Sequence, residues 1–420
     1  MDCAEVTLIE PSEGDPRTPA IFEYDLDYAF EVGVEPLSLR FPVTAEMQTL
    51  GQWPAFIFDL IPQGSGRQYL LGQLKLTDNA AANFPLMCAG AFNPIGRIRV
   101  AEAAAYYANH VSRHETEDER HGFTTEEIIR RGDAFNERML IHSMLAAGSL
   151  GVQGAAPKYL LTKDQKGLWH ADAALADQYA VEHFILKRPR GSTQADSKVL
   201  RNEAAYMKVA TALGLRTYGT LQYRDDTLFI PRFDRVVRDG RVERLHQESV
   251  ASLAGLVGFE NSPNQFELLK AFRAVVNDKT NETIEFLKRD ILNLAMRNTD
   301  NHARNTAVQK IGAEIRLTPL FDFAPMYLDP EGIPRAARWY APQTSRELHE
   351  WRHILAALEI EDAERHLLRV ELQRFGSQLG NLEQAMHQAG VDDDIIAHIR
   401  PHIATQMRQL RSLGEDDGTS

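Results

Sequence analysis

Residues 297–305 read RNTDNHARN. One acid, two side-chain amides, a histidine and an arginine fall within six residues, Asp300 to Asn305. The stretch closes ETIEFLKRDILNLAMRN (282–298), where Ile284, Leu287, Ile291 and Leu294 recur on one stripe of a helix. Asp and Asn bond nearby backbone and tolerate left-handed conformations, so a polar connection is the default reading. The residues downstream change that reading. TAVQK and EIRLT, split by Ile311–Gly312, read as a hairpin, and LFDF then places Asp322 in an apolar setting.

The order is helix, polar loop with an acid and an amide, hairpin, second acid. It suits phosphoryl transfer. That chemistry needs an acid to accept or orient the nucleophile's proton, hard oxygen ligands for Mg²⁺, and cations on the phosphates. Asp300 fits the base, Asn305 a neutral metal ligand five residues on, and Asp322 the metal carboxylate. Protein kinases use this spacing: a catalytic-loop Asp, an Asn five residues later, and a metal Asp beyond a hairpin.

The other parts of such a site are sought upstream. Lys187 ends the apolar strand FILK, and Glu203 lies sixteen residues later in RNEAAYMKVATALGLR (201–216), a predicted helix with Gly214 near its end. A strand Lys paired with a helix Glu is the kinase arrangement for the α- and β-phosphates. AAGSLGVQGAAPKYLL (146–161) carries Gly148, Gly151 and Gly154 before a strand, a loop whose N–H groups suit phosphates. No Gly-Lys-Ser/Thr follows, so it is not a Walker A sequence. LFIPRFDR (228–235) is an apolar strand with a polar exit, the point where a kinase hinge bonds adenine; Pro231 and Phe233 are its candidate contacts.

Residues 1–100 read as a small α+β unit. VTLIE, FEYD, LSLRFPV and IRV look like short strands, and GQWPAFIFDLIPQGSGRQYLLGQL holds a predicted helix ending near Gly64–Gly66. YYANHVSRHETEDERHG is a charged linker or solvated helix face, with His110, His114 and His121 in solvent. Thr124 and Glu127 have capping-box spacing. Ile128, Phe135, Met139, His142 and Leu145 then share a helix face that stops at Gly148. Strands are expected at 158–162 and 181–189, with hairpin turns at Asp225–Asp226 and Asp239–Gly240. Helices dominate from about residue 246, and the acidic tail GEDDGTS reads as disordered.

The chain has 420 residues, enough for two or three domains or lobes. Its net charge of −13 (46 minus 59) argues against general nucleic-acid backbone binding. Cys3 and Cys88 have neither metal nor disulfide spacing and fit a reducing compartment. The start lacks a basic, then apolar, signal pattern, and no apolar run approaches a membrane span. The expectation is a cytoplasmic protein without membrane contact.

With these residues placed, the sequence resembles the HipA family of bacterial toxin kinases. The resemblance rests on SLGVQ…PK (149–158), FILKRP (184–189), NEAAYMKVATALGL (202–215), IPRFDR (230–235), RLHQES (244–249), NTDNHARN (298–305) and LTPLFDFAPM (317–326). FIFDLIPQG (56–64) resembles the family's N-terminal subdomain. The resemblance implies an α+β, bilobal protein-kinase-like fold with an extra N-terminal α+β subdomain and a mostly helical C-terminal lobe. Its parts would be 1–122 (N-terminal subdomain), 123–235 (small lobe), 236–412 (helical lobe) and 413–420 (tail). It implies an ATP- and Mg²⁺-dependent serine/threonine protein kinase of a toxin–antitoxin system. Asp300 would be the base, supported by His302. Asn305 and Asp322 would hold metal, and Lys187 the phosphates, with Glu203 beside it. Gly151, Val152 and Gln153 would cover the nucleotide, and His246 would line the cleft or serve a structural hydrogen-bonding role. Ser149 matches a serine that family members autophosphorylate, which shuts the kinase down. A protein substrate is implied, with aminoacyl-tRNA synthetases known in the family. So is a small helix-turn-helix antitoxin, through which alone operator DNA would be met. The chain departs from the pattern at Gly154–Ala156, inserted before Pro157, and at Pro231, where an acid is common. The region near CAGAFNPIG (88–96) lacks a usual acid. These mark a divergent branch.

Two other readings stand beside this one. One is a kinase-fold binding or regulatory module with little activity; the other is a Mg²⁺-dependent nuclease using Asp300, His302, Asn305 and Asp322. Lys187 with Glu203 favours the kinase, since a nuclease has no use for that pair.

Overall fold

The computed structural model describes residues 2–11, 14–114, 122–142, 157–259 and 261–414. They form two compact units. The first takes residues 1–190, 224–260 and 309–311, and the second 191–223, 261–308 and 312–420.

The first unit opens with an antiparallel sheet of Ala4–Leu8, Ala20–Tyr24 and Gln48–Leu50. Ala20, Phe22 and Tyr24 alternate inward, and Phe22 meets the rings of Tyr24, Phe41 and Phe56. Of the short strands expected here, LSLRFPV and IRV do not form. Pro36 precedes the former and Pro42 lies within it, and neither can donate to a ladder. Its backbone goes instead to Glu248, whose carboxylate accepts from Ser38 Oγ and Leu39 N–H at 2.7 and 2.8 Å. The expected helix ending at Gly64–Gly66 is also corrected. Ala55–Asp59 is a buried 3₁₀ turn, and the α-helix begins at Gly64 and runs to Leu74. Pro62 breaks the two apart, and the chain re-enters a helix only after it.

Thr124 and Glu127 make both bonds of a capping box at the start of helix Thr125–Arg130. The single helix expected from there is two, because Arg131 turns left-handed (φ +57°) before Asp133–His142. Ile128, Phe135, Met139 and His142 are buried as the spacing predicted. Leu145 and Gly148 lie outside the described residues. A second sheet has the strand order Trp169–Ala171, Lys158–Asp164, Ala180–Lys187, Thr227–Pro231. Its core face joins Leu161, Phe184, Leu186, Trp169 and Phe229 to Ile128, Phe135 and Met139. Asp225 and Asp226 both take positive φ (+46° and +54°), as do Asp239 and Gly240, the signature of a two-residue hairpin turn.

The second unit is mostly helical. Helix Gln194–Ala212 starts seven residues before the expected Arg201, at a capping box of Thr193 and Asp196. Lys279–Ala295 packs against Asp362–Gln378 and Asp393–Arg411, and Leu287, Leu372, Phe375, Ile395 and Ile399 on these helices are fully buried. Of its predicted stripe, Leu294 is only partly buried, while Phe286 and Leu292 are buried as well, because the helix is covered on more than one side. No helix of the described residues is long and apolar enough to cross a membrane. Residues 415–420 of the expected tail lie outside the described residues.

Candidate active site

Helix Lys279–Ala295 ends because Arg297 adopts a left-handed conformation (φ +58°). The exit is fixed by the Tyr206 hydroxyl, which donates to Met296 O at 3.0 Å, and by Asn298 Nδ2 on Asn293 Oδ1 at 3.0 Å. The chain then folds on itself. His302 O accepts from Asn305 N–H (2.9 Å), forming a 3₁₀ turn at Ala303–Asn305, and Asn305 Nδ2 donates to Asp300 O at 2.9 Å. This bond aims the amide so that Asn305 Oδ1 faces away from that carbonyl. His302 Nε2 lies 3.6 Å from Asp300 Oδ1, with both side chains about a quarter exposed at 28 % and 22 %.

Asp322 arrives by the hairpin Ala307–Ile311 and Glu314–Leu317, one residue later than expected, since the turn is Gly312 (φ +58°) with Ala313. The preceding helix holds its exit. Buried Glu282 accepts Arg216 Nη1 and Nη2 at 2.9 and 2.7 Å and the Leu317 N–H at 2.8 Å. The Arg216 guanidinium in turn donates to Leu317 O (2.7 Å), and its carbonyl accepts from Leu320 N–H (2.7 Å). Burial pulls the Arg216 guanidinium down, but Glu282 outweighs it and the net shift is upward. Arg289 donates to Thr318 O at 2.7 Å; burial pushes the Glu285 carboxyl up, but the Arg289 charge outweighs it and holds the group below the usual carboxylate range. So anchored, Asp322 takes φ +54°, a conformation that costs about 1 kcal/mol or more outside glycine. Phe323 beside it is buried against the Tyr206 ring.

Asp300, Asn305 and Asp322 line one cleft, together with Gln265 and Asn298. The structure thus gathers three of the expected residues, with His302 on the first. Two others went unread. Asn301 Oδ1 accepts from Ala336 and Ala337 N–H (3.0 and 3.4 Å) while Nδ2 donates to Ala337 O (2.7 Å), so one amide imitates a strand. Asp290, buried in the helix, accepts from Trp339 Nε1 and Arg335 Nη2 at 2.9 and 2.7 Å. The only sequence trace of Asp290 is a charge inside an apolar helix.

Lys187 closes strand Ala180–Lys187 in the first unit and stands opposite Lys158 in the register. Both are more than nine-tenths buried, at 8 % and 5 % exposed. Glu203 is buried in helix Gln194–Ala212 of the second unit. Pro231 ends its strand opposite Phe184, and Phe233 O accepts from Gln309 Nε2 at 2.9 Å. His246 sits 3.5 Å from Glu248, whose carboxyl burial pushes up and the imidazole pulls down, with a net lowering. Ser149, Gly151, Val152 and Gln153 lie outside the described residues.

The fold is α+β and kinase-like. It matches HipA of Shewanella oneidensis MR-1, solved as a toxin–antitoxin complex with HipB and operator DNA. That match covers 100% of this chain and 97% of that one at 18% identity and a TM-score of 0.64. The Helicobacter pylori proinflammatory kinase CtkA is also similar, at 11% identity and a TM-score of 0.39, over 56% of this chain and 90% of that one. No curated protein matches the sequence. The HipA N-terminal domain matches residues 7–101 and the HipA-like C-terminal domain residues 150–398, and the chain therefore belongs to the HipA family.

Proposed function

We propose that the chain is an ATP- and Mg²⁺-dependent serine/threonine protein kinase acting as the toxin of a toxin–antitoxin pair. The observation that carries this reading is the convergence of Asp300, Asn305 and Asp322 on one cleft. Asp300 accepts the proton of the substrate hydroxyl, and His302 at 3.6 Å orients its carboxylate. Lys187, with Lys158 opposite, supplies positive charge at a strand end.

The residues fit a hard cation. Buried Gln265 Oε1 and Asn298 Oδ1 line the same cleft and have no hydrogen-bond partner among the described residues. No group of three His, Cys, Asp or Glu among the described residues has a metal-holding arrangement. Mg²⁺ takes one or two protein carboxylates and completes its shell with phosphate and water. Asn305 and Asp322 would hold it. When bound, the ion neutralises charge on the transferring phosphoryl group.

The finer parts of the proposal are self-phosphorylation on Ser149, a protein target in translation, and a small helix-turn-helix antitoxin. The last is supported by the Shewanella HipA, which was solved together with HipB and operator DNA. The test is transfer of labelled γ-phosphate with Mg²⁺, on wild type and Asp300→Asn, followed by peptide mapping. Label on wild type alone, centred on Ser149, is expected. Absence of both label and ATP binding in wild type overturns the reading.

A further inference from the structure

Within the first unit, three strands pair so that rows of side chains share the sheet face opposite the core. Lys158, Lys187 and Leu228 form one row; Leu160, Ile185 and Ile230 form the next; Thr162 and His183 form the third. Arg232 N–H continues the ladder, donating to His183 O at 2.8 Å. From Lys187 to His183 is four residues, or roughly 13 Å of strand. This suits a nucleotide with its phosphates at the lysine end and its base at the histidine end.

The histidine end is built from buried charge. Asp172 accepts from His183 Nδ1 (2.6 Å), Arg232 Nη1 (3.0 Å), Asn93 Nδ2 (2.6 Å) and Thr162 Oγ1. Arg232 also donates Nε and Nη2 to Asp234 at 2.9 and 2.8 Å. Asp234 takes Arg235 Nη1 (2.6 Å) and the Gly96 N–H (2.8 Å) as well. The side chains of Arg232, Arg235, Asp172 and Asp234 are 0–4 % exposed. Such a network is a poor source of stability, since well-packed apolar residues often serve as well or better. It also leaves His183 Nε2 buried without a hydrogen-bond partner among the described residues. What the network does supply is a fixed path for the chain from Pro231 to Asp234.

We propose that Asp172, acting through His183 and Arg232, is a positioning residue that fixes segment 231–233 to receive the base of the nucleotide. This rests on the nucleotide-binding reading above. The network meets the third row at Thr162 and His183, four residues along the strand from Lys187.

The test uses the full chain as wild type, Asp172→Asn and His183→Gln. Dissociation constants are measured for ATP and for inorganic tripolyphosphate, each with Mg²⁺, and amide exchange is followed at Arg232 without ligand. The expected result is an ATP affinity about tenfold weaker, roughly 1.4 kcal/mol, with tripolyphosphate affinity unchanged and Arg232 exchange accelerated. General destabilisation would weaken both ligands alike, so a parallel loss overturns the assignment, as does unchanged ATP affinity. If Asp172→Asn does not fold, His183→Gln decides between these outcomes. No ATP binding by wild type overturns the nucleotide reading and this assignment together, a result distinct from variants that lose both ligands equally.

Discussion

Two clusters of polar side chains in this molecule treat their charges in opposite ways. Around Arg232, every carboxylate oxygen is met by a donor: Asp172 and Asp234 between them take two guanidinium groups, an imidazole, an amide, a hydroxyl and a backbone N–H. Asp300 shares its cleft with Asn305, Asp322, Asp290 and Arg289, and the oxygens of Gln265, Asn298 and Thr299 are buried without hydrogen-bond partners among the described residues. Carboxylates met on both oxygens hold shape, and the atoms left over around Arg232 are nitrogens, His183 Nε2 and Arg235 Nε, which are buried without hydrogen-bond partners among the described residues. An unsaturated cluster keeps a cost of about 1–3 kcal/mol per buried orphan, which a ligand recovers on binding.

The largest test of this contrast removes a charge from the unsaturated cluster. Asp300→Asn should lower phosphate transfer by about 10²–10⁴-fold with little change in melting temperature, and Asp322→Ala should abolish it. A variant that keeps full activity breaks the assignment of that cluster. Arg232→Met should do the reverse. It strands Asp172 and Asp234 in the interior and should cost about 3–5 kcal/mol in urea unfolding; a neutral result would break the view of that network as coupled.

Acid should reach the saturated cluster in a defined window. Burial pushes the Asp234 carboxyl up, but Arg232 and Arg235 outweigh it and bring it down to about 2. Asp172, under burial and then Arg232 and His183, moves in the same direction. A depressed folded value means stability that is present above the ordinary carboxylate range and lost as pH falls through the folded value. Asp234 alone should contribute roughly 2 kcal/mol at pH 7, of which about 1 kcal/mol is lost by pH 3, to be read from urea unfolding at the two pH values. The smallest effect belongs to neither cluster. Thr193→Ala removes a helix cap on the surface and should cost about 1 kcal/mol, leaving ATP affinity untouched.

What the sequence disclosed obeys the same division. The Asp225–Asp226 and Asp239–Gly240 turns, the Thr124–Glu127 cap and the buried face of Ile128, Phe135 and Met139 are local, and their chemistry is complete within a few residues. The cleft was legible for a related reason: Asp300 and Asn305 sit in one turn, and the hairpin to Asp322 is short. The Arg232 network was not, because Asp234 finds Gly96 138 positions away and Arg232 finds Asp172 at 60. No period or spacing encodes such a meeting. The helix at Gly64–Leu74 was misread because glycine is a stop signal in most contexts, and here Pro62 had already made the break. Asp290 stayed hidden because its partners, Arg335 and Trp339, come more than forty residues later.

The strand-like clamp of Asn301 on Ala336 and Ala337 has a mechanical meaning. Asn301 is bonded directly to Asp300, so a pull on the 336–337 segment is passed to the proposed base across a single peptide unit. With three hydrogen bonds in the plane of one amide, the clamp resists sliding along the chain as well as lifting off it. The loop thus works as a short lever, its far arm the 336–337 segment and its near arm the carboxylate in the cleft.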